Sequence, residues 1–278
     1  MPLLDFILNL AALLLWLNWR SIKFDPLTQS SPATLTGLIR RAEPDRVKPW
    51  HFLIALALLL FVRAWVYWQI GPVADWTPSL RLGAVAPPFR SDLFSRALIY
   101  SIFSFGSILA VFYLWLLLLS VVNGGGADAG PLQKLVRLHL GWLDRWWWPF
   151  KLILPFIAAA AFWMAINPFL AQAKIIPPCT SMLHRLEQAA IIGLSVYLSW
   201  QYLIYVILLL YILSSYIYLG NHPFWTFVTA TGRNLVSPLR FLRIGKFDFA
   251  PLVTIALVFF VAHFGQRELT LLYTRLPI

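Results

Sequence analysis

The chain has 278 residues, of which 60% are hydrophobic and only 12% are charged. Soluble domains carry roughly 25% charged residues, so this composition excludes a soluble globular protein and indicates an integral membrane protein. The formal net charge of +11 fits basic loops beside anionic lipid headgroups better than it fits nucleic-acid binding. The single cysteine, Cys179, excludes an internal disulfide and a metal site built from several cysteines.

Six apolar runs are predicted to be membrane-spanning helices, because each approaches or exceeds the length of about 20 apolar residues that a span needs. The chain is therefore predicted to be an all-α, polytopic membrane protein. The fifth run is longer than one span requires, so we expect it to tilt or to extend beyond the lipid. The predicted spans are residues 3–19, 52–71, 97–122, 150–171, 188–219 and 250–270.

The segments that connect these spans alternate in charge. The three connectors at 20–51, 123–149 and 220–250 together hold 13 basic residues, whereas the segments on the other side hold 7. Because short cytoplasmic loops are enriched in Lys and Arg, we expect the three basic connectors to be cytoplasmic and both termini to face outward.

Each basic connector also shows an amphipathic helical pattern, with apolar residues at helical spacing and basic residues to one side. Such a helix lies flat at a headgroup surface, or it packs on the ends of the spans with its arginines solvated, and the pattern fits both arrangements. We expect anionic headgroups as partners of the basic side chains. The predicted membrane-surface residues are Arg40, Arg41, Lys134, Arg137, Arg145, Arg233, Arg240 and Arg243.

The order of span, basic amphipathic connector and span occurs three times along the chain. This layout predicts three tandem repeats, covering residues 1–90, 91–186 and 187–278.

The third repeat resembles the YggT family, also called YlmG-like. The family has an Asn-Pro-Phe-like turn, an amphipathic Pro-x-Arg segment and a Gly-x-x-Asp-Phe-Ser-Pro turn between two spans. The corresponding stretches here are Asn221-His222-Pro223-Phe224, Ser237-Pro238-Leu239-Arg240 and Gly245-Lys246-Phe247-Asp248-Phe249-Ala250-Pro251. Ala250 replaces the usual serine, and His222 is inserted within the first turn. The motifs match mainly over residues 220–260, and the first two repeats match by layout only.

This resemblance implies a membrane protein of bacteria or plastids without known enzymatic activity, and we expect a non-enzymatic multi-pass protein of the bacterial plasma (inner) membrane. Members of the family have been linked to cytochrome assembly, to cell-division gene neighbourhoods and to osmotic or ion tolerance. We therefore expect a protein that scaffolds or assists the assembly of other integral membrane proteins, or maintains the envelope, and a homo-oligomer is compatible with this role. The alternative is a small-solute or ion transporter or channel, which internal repeats and an intramembrane arginine favour.

Three residues stand out as structural or functional candidates. Arg63 lies within the second predicted span, where an arginine marks a functional site by default, snorkels outward, or pairs with Asp5 of the first span. Asp248 and Pro251 precede and open the last span. A carboxylate at that point caps the free N–H groups of the helix, and proline loses no hydrogen bond in the first turn.

Motifs for catalysis or cofactor binding are missing from the sequence. Of the five histidines, only His263 falls within a predicted span, so no second histidine at matching depth is available for a haem, and zinc-ligand spacing is absent. We therefore expect no catalytic residues, cofactor or metal.

Overall fold

The structure is a computed structural model that describes residues 2–21, 48–71, 78–79, 83, 88–89, 93–124, 131–179, 181–217, 220, 222–244 and 247–276. The described chain is almost entirely helical, which confirms the prediction of an all-α polytopic protein. The helices are α1 (Pro2–Ser21), α2 (Pro49–Ile70), α3 (Phe94–Val122), α4 (Pro131–Leu140), α5 (Trp148–Gln172), α6 (Met182–Ser195), α7 (Trp200–Tyr216), α8 (Pro223–Val236) and α9 (Ala250–Arg275).

Six stretches in the described part of the chain are long and apolar enough to cross a membrane. They coincide with the six predicted spans, with ends that differ by a few residues. The fifth, Met182–Tyr216, is 35 residues long. It starts earlier than predicted because the Ser181 hydroxyl accepts a hydrogen bond from the backbone N–H of His184 at 3.1 Å and caps α6. The other candidate spans are Leu3–Arg20, Pro49–Ile70, Phe94–Val122, Trp148–Gln172 and Ala250–Arg275.

The chain divides into two compact units, and the boundary falls inside α3. The N-terminal unit comprises Met1–Leu80 and Pro88–Leu109, and the C-terminal unit comprises Arg81–Pro87 and Ala110–Ile278. The prediction of three tandem repeats concerns the order of elements along the chain. The division into two units does not test it, so it stays a prediction.

In the N-terminal unit, α1 and α2 pack against each other and against the first half of α3. Ala12 of α1, Leu56 of α2 and Phe105 of α3 are buried together at the centre of this contact. The small side chain of Ala12 lets the helices approach closely, which is how membrane helices gain van der Waals contact.

In the C-terminal unit, the fifth span is interrupted by a 3₁₀ turn at Val196–Ser199, between α6 and α7. Two indole N–H groups donate hydrogen bonds between α3 and the region of this 3₁₀ turn. Trp115 Nε1 of α3 donates to the carbonyl of Ser199 at 3.0 Å, and Trp200 Nε1 of α7 donates to the carbonyl of Leu114 at 3.1 Å. An indole N–H has no water to bind inside a bilayer, so the two helices satisfy each other's donors.

The basic connectors that the structure describes hold α4 and α8, and both helices pack on the ends of the spans. Val136 and Leu140 of α4 are buried against Leu116 and Leu117 of α3. This part of the apolar side of α4 is thus covered by protein, whereas Leu135 is 48% exposed. The predicted helix of the first connector lies outside the described residues.

Helix α8 packs against α7 and α9 in the same way. Val236 of α8 is buried with Leu208 of α7 and Ala250 of α9. At Gly232 a Cβ atom would lie 2.6 Å from the Cβ of Tyr211, so this close approach requires glycine.

A short antiparallel hairpin precedes α9. Its strands are β1 (Arg243–Ile244) and β2 (Phe247–Asp248), with Arg243 opposite Asp248. Helix α9 then begins at Ala250, with Pro251 in its first turn.

Candidate functional site: polar clusters inside the spans

A buried polar cluster joins α1, α2 and α3 within the N-terminal unit. Each helix contributes two side chains four residues apart, which places both on one helical face. We call this group the arginine cluster. It consists of Asp5 and Asn9 of α1, Arg63 and Tyr67 of α2, and Tyr100 and Ser104 of α3.

Arg63 lies at the centre of the arginine cluster and is only 2% exposed. Its Nη2 donates to Asp5 Oδ1 at 2.5 Å and to Ser104 Oγ at 2.8 Å. Its Nη1 donates to Asn9 Oδ1 at 2.6 Å, and its Nε donates to the Tyr67 hydroxyl at 3.3 Å. All three guanidinium nitrogens therefore have partners, which is what a charge held away from water requires.

The Asp5 carboxylate completes the arginine cluster. The hydroxyls of Tyr67 and Tyr100 donate to its two oxygens, in addition to the bond from Arg63. One positive and one negative charge thus compensate each other inside the span. Of the possibilities open from the sequence, pairing with Asp5 is the one that the structure contains, and Arg63 does not snorkel outward.

The arginine cluster acts as a clamp between three spans. Arg63 lies about 10 Å along the axis from the end of α2, counting seven residues at 1.5 Å each. At that depth, loss of one partner leaves an uncompensated charge, which costs far more than the pair itself contributes. Sequence reasoning identified Arg63 and Asp5 but missed Asn9, Tyr67 and Tyr100. The matching i, i+4 spacing of polar residues in three spans was the available signal.

A second cluster, in the C-terminal unit, surrounds a buried lysine near the start of α5. Lys151 Nζ donates to Ser120 Oγ at 2.7 Å and to the carbonyl of Asp144 at 2.6 Å. Its distance to Asp144 Oδ1 is 3.7 Å, and Arg137 Nε lies 3.4 Å from Asp144 Oδ2. This arrangement ties α3, α4, the 3₁₀ turn at Gly141–Arg145 and α5 together. Sequence reasoning missed Lys151, which stands next to the predicted start of the fourth span at residue 150.

Amide and hydroxyl side chains join the end of α3 to α4 and α8. Asn123 Nδ2 donates to Thr231 Oγ1 at 2.9 Å, and Asn234 Nδ2 donates to Asn123 Oδ1 at 3.1 Å. Gln133 Nε2 of α4 donates to the carbonyl of Asn123 at 2.8 Å. These bonds, together with the buried apolar faces, position the two connector helices on the ends of the spans.

A third cluster lies between α5 and α6. Trp163 Nε1 and Asn167 Nδ2 each donate to Gln188 Oε1 at 3.3 Å, and the Cys179 thiol lies 3.4 Å from the same oxygen. Because an indole can only donate, Gln188 Oε1 is the acceptor, and Gln188 Nε2 donates to His184 Nε2 at 2.9 Å. The His184 proton is therefore on Nδ1, which has no hydrogen-bond partner among the described residues.

The position of His184 corrects the expectation that His263 is the only histidine within a span. Because α6 begins at Met182 rather than near 188, His184 is a buried residue of the fifth candidate span. Among the described residues, no three His, Cys, Asp or Glu side chains come together as a possible metal site.

The predicted membrane-surface residues that the structure describes are solvent- or lipid-accessible. Lys134, Arg145 and Arg233 are exposed, and the Arg137 side chain is 44% exposed although it pairs with Asp144. Exposed tryptophans flank Arg145 at positions 142, 146, 147 and 148, as is usual at headgroup level. Arg40 and Arg41 lie outside the described residues, as do the side chains of Arg240 and Arg243.

Asp248 is the last residue of β2 and comes two residues before α9. The first backbone acceptor of the helix is Phe249, whose carbonyl accepts from the N–H of Val253 at 3.0 Å. The Asp248 side chain lies outside the described part, so its capping role stays a prediction, whereas Pro251 does occupy the first turn.

Comparison of the chain with models of known protein families, with curated proteins and with solved structures gave no match in any of the three. The resemblance of the third repeat to the YggT family therefore stays a prediction that rests on the quoted motifs.

Proposed function

We propose that this protein is a non-enzymatic integral membrane protein of YggT type, which scaffolds or assists the assembly of other membrane proteins or maintains the envelope. One observation carries the proposal. Arg63, the intramembrane charge that would mark a transport pathway, has every guanidinium nitrogen engaged within its own cluster. A charge used in this way stabilises the packing of spans and is not available to a passing solute.

The outer faces of the spans support the same function. Large apolar side chains are exposed on every candidate span, among them Phe61, Phe162 and Phe259. In a membrane, such surface is covered by lipid or by the spans of other proteins, and helices associate there through van der Waals contact.

A transporter or channel is the second candidate, and one feature favours it. The fifth candidate span is broken by the 3₁₀ turn at Val196–Ser199. Asn167 of α5 and His184 and Gln188 of α6 are buried where these two helices meet. Transporters place their sites where helices are discontinuous and polar groups gather inside the bundle.

Complementation by an apolar version of the arginine cluster separates the two functions. The apolar variant carries Asp5→Leu, Arg63→Met, Tyr67→Phe and Tyr100→Phe. We expect it to fold, because replacing a buried ion pair together with its partners by apolar groups is often neutral. It should then restore a strain that lacks the gene as fully as the wild type does, at matched membrane levels. In the strain that lacks the gene and carries no complementing copy, quantitative proteomics should show reduced levels of the membrane complexes whose assembly the protein assists.

Two results would contradict the proposed function. One is an apolar variant that is abundant and folded but fails to complement. The other is a solute flux in reconstituted vesicles that requires the wild-type cluster. Either result would make the arginine cluster part of a transport pathway.

We further propose that the protein lies in the bacterial inner membrane with its basic connectors in the cytoplasm, where Arg145 and Arg233 contact anionic headgroups. The charge asymmetry of the connectors supports this orientation. In a Cys179→Ser background, Thr229→Cys on α8 should resist an impermeant thiol reagent in intact cells, whereas Met182→Cys at the start of α6 should react. Both positions are exposed. If only Thr229→Cys were labelled, the proposed orientation would be wrong. Arg145 and Arg233 would then not contact headgroups of the cytoplasmic leaflet.

A further inference from the structure

Helix α9 presents an uncovered seam on the surface of the C-terminal unit. The seam consists of Leu252, Ala256, Phe259 and His263, which follow one another at intervals of 4, 3 and 4 residues and are all exposed. This spacing is that of the contact line between two helices that pack along each other. The seam ends before Gln266, whose Nε2 donates to the carbonyl of Gly83 at 3.4 Å. The buried side of α9 is a different one, marked by Pro251, Thr254 and Ala262.

The seam borders an open apolar groove between α7 and α9. Tyr205 and Leu209 of α7 line this groove together with Leu252, Ala256 and Phe259 of α9. The Tyr205 hydroxyl is buried in this region, and it has no hydrogen-bond partner among the described residues.

His263 is an unpartnered polar group on the seam itself. It lies about 20 Å along the axis from Ala250, inside the roughly 30 Å of hydrocarbon that a span crosses. Its ring contacts Phe259 and Phe264, with centroid distances of 5.9 Å and 5.7 Å. Within the described chain its nitrogens make no hydrogen bond. A polar group facing lipid tails in this way is unfavourable unless another helix supplies a partner.

Lipid acyl chains would fill the groove but would offer nothing to the imidazole. A second copy of the chain does, because an imidazole with one N–H has one donor and one acceptor, so two copies of His263 can pair with each other. Copies inserted with the same orientation are related by an axis along the membrane normal, which brings identical residues to identical depth.

We propose that the seam of α9 and its groove form the interface of a homodimer, in which the two α9 helices run parallel and the His263 side chains meet near the two-fold axis. A single polar residue in such a seam sets the register of the pair. The proposal does not depend on the proposed function, because a dimeric transporter would use the seam equally.

Cysteine cross-linking in native membranes tests the proposal. Phe259 and Val261 are equally exposed, at 61% and 59%, but they point to nearly opposite sides of α9. In a Cys179→Ser background, oxidation should convert Phe259→Cys into a cross-linked dimer at a several-fold higher yield than Val261→Cys. Equal yields from the two positions would overturn the assigned face, and cross-linking of Phe259→Cys only to other proteins would overturn the homodimer.

Substitution of His263 supplies an independent test in purified protein reconstituted in bilayers. His263→Leu should weaken the dimer roughly three- to twenty-fold, which is the range for one interhelical hydrogen bond in a membrane. His263→Asn should restore most of the affinity, because an amide is also self-complementary. Dissociation measured by energy transfer between labelled copies gives both values. Dimers of equal affinity in the leucine and asparagine variants, or a monomeric wild type at every protein-to-lipid ratio, would overturn the proposal.

Discussion

Replacement of Asp5 by alanine is expected to destabilise the protein by roughly 3 kcal/mol. The usual cost of removing one partner of a buried ion pair is about 3–5 kcal/mol, since the remaining charge is left uncompensated. We expect the lower end of that range because the Asp5 side chain lies in the first turn of α1 and is 17% exposed, so its burial is incomplete. Thermal unfolding in mild detergent, followed by the loss of the monodisperse peak, measures the effect.

Two control variants, the apolar variant and a surface substitution, are to be compared in stability with Asp5→Ala. Asp5→Leu combined with Arg63→Met, Tyr67→Phe and Tyr100→Phe removes the charge and its partners together, and its stability should lie within roughly 1–2 kcal/mol of the wild type. Glu268→Gln neutralises an exposed carboxylate and should change stability by less than about 0.5 kcal/mol. If Asp5→Ala were as mild as Glu268→Gln, the clamp role of the arginine cluster would be wrong.

Substitution of Gly193 is expected to separate α5 from α6. A Cβ atom at this position would lie 2.8 Å from Phe156 Cδ2 and 2.9 Å from the Phe156 carbonyl oxygen. The ring could turn away, but the backbone oxygen belongs to α5 and cannot move without the helix. Gly193→Ala should therefore cost roughly 1–3 kcal/mol, the usual range for overpacking a tight contact, and Gly193→Leu should cost more. Thermal unfolding in detergent would show the loss.

Gly106 is the matched control for Gly193. It is also a glycine in the middle of a candidate span, but a Cβ atom there would meet nothing within 4 Å. Gly106→Ala should therefore be neutral or stabilising by about 0.5–1 kcal/mol, because alanine loses less backbone entropy in a helix. If both alanine variants had the same stability, the close α5–α6 contact would not determine the packing.

The local pattern of the sequence predicted the features that depend on a single helix and its immediate surroundings, namely the spans and the connector helices. Membrane hydrocarbon requires about 20 apolar residues per span, so the six spans could be located from the lengths and positions of the apolar runs alone. The connector helices α4 and α8 followed from helical periodicity. The sequence predicts the extra length of the fifth span but not its 3₁₀ break, since the residues at Val196–Ser199 contain neither proline nor glycine.

The partners within the polar clusters could not be predicted in the same way. Asp5 and Arg63 are 58 positions apart, and Asn123 and Thr231 are 108 apart. Their pairing depends on which faces of the helices meet. The sequence raised pairing with Asp5 as one of several possibilities for Arg63. The i, i+4 spacing of polar residues could have marked the faces that hold Tyr67 and Tyr100, but not that their hydroxyls donate to Asp5.

The sequence by itself determined that this chain is a polytopic helical membrane protein with basic connectors, because the bilayer imposes length and hydrophobicity on each span separately. The tertiary structure decided what its few intramembrane polar groups do. Arg63 is enclosed by partners from three helices, whereas His263 lies on an uncovered face. The physical reason is that a polar group in hydrocarbon is stabilised only by groups at its own depth on neighbouring helices, and that adjacency exists only once the helices have packed.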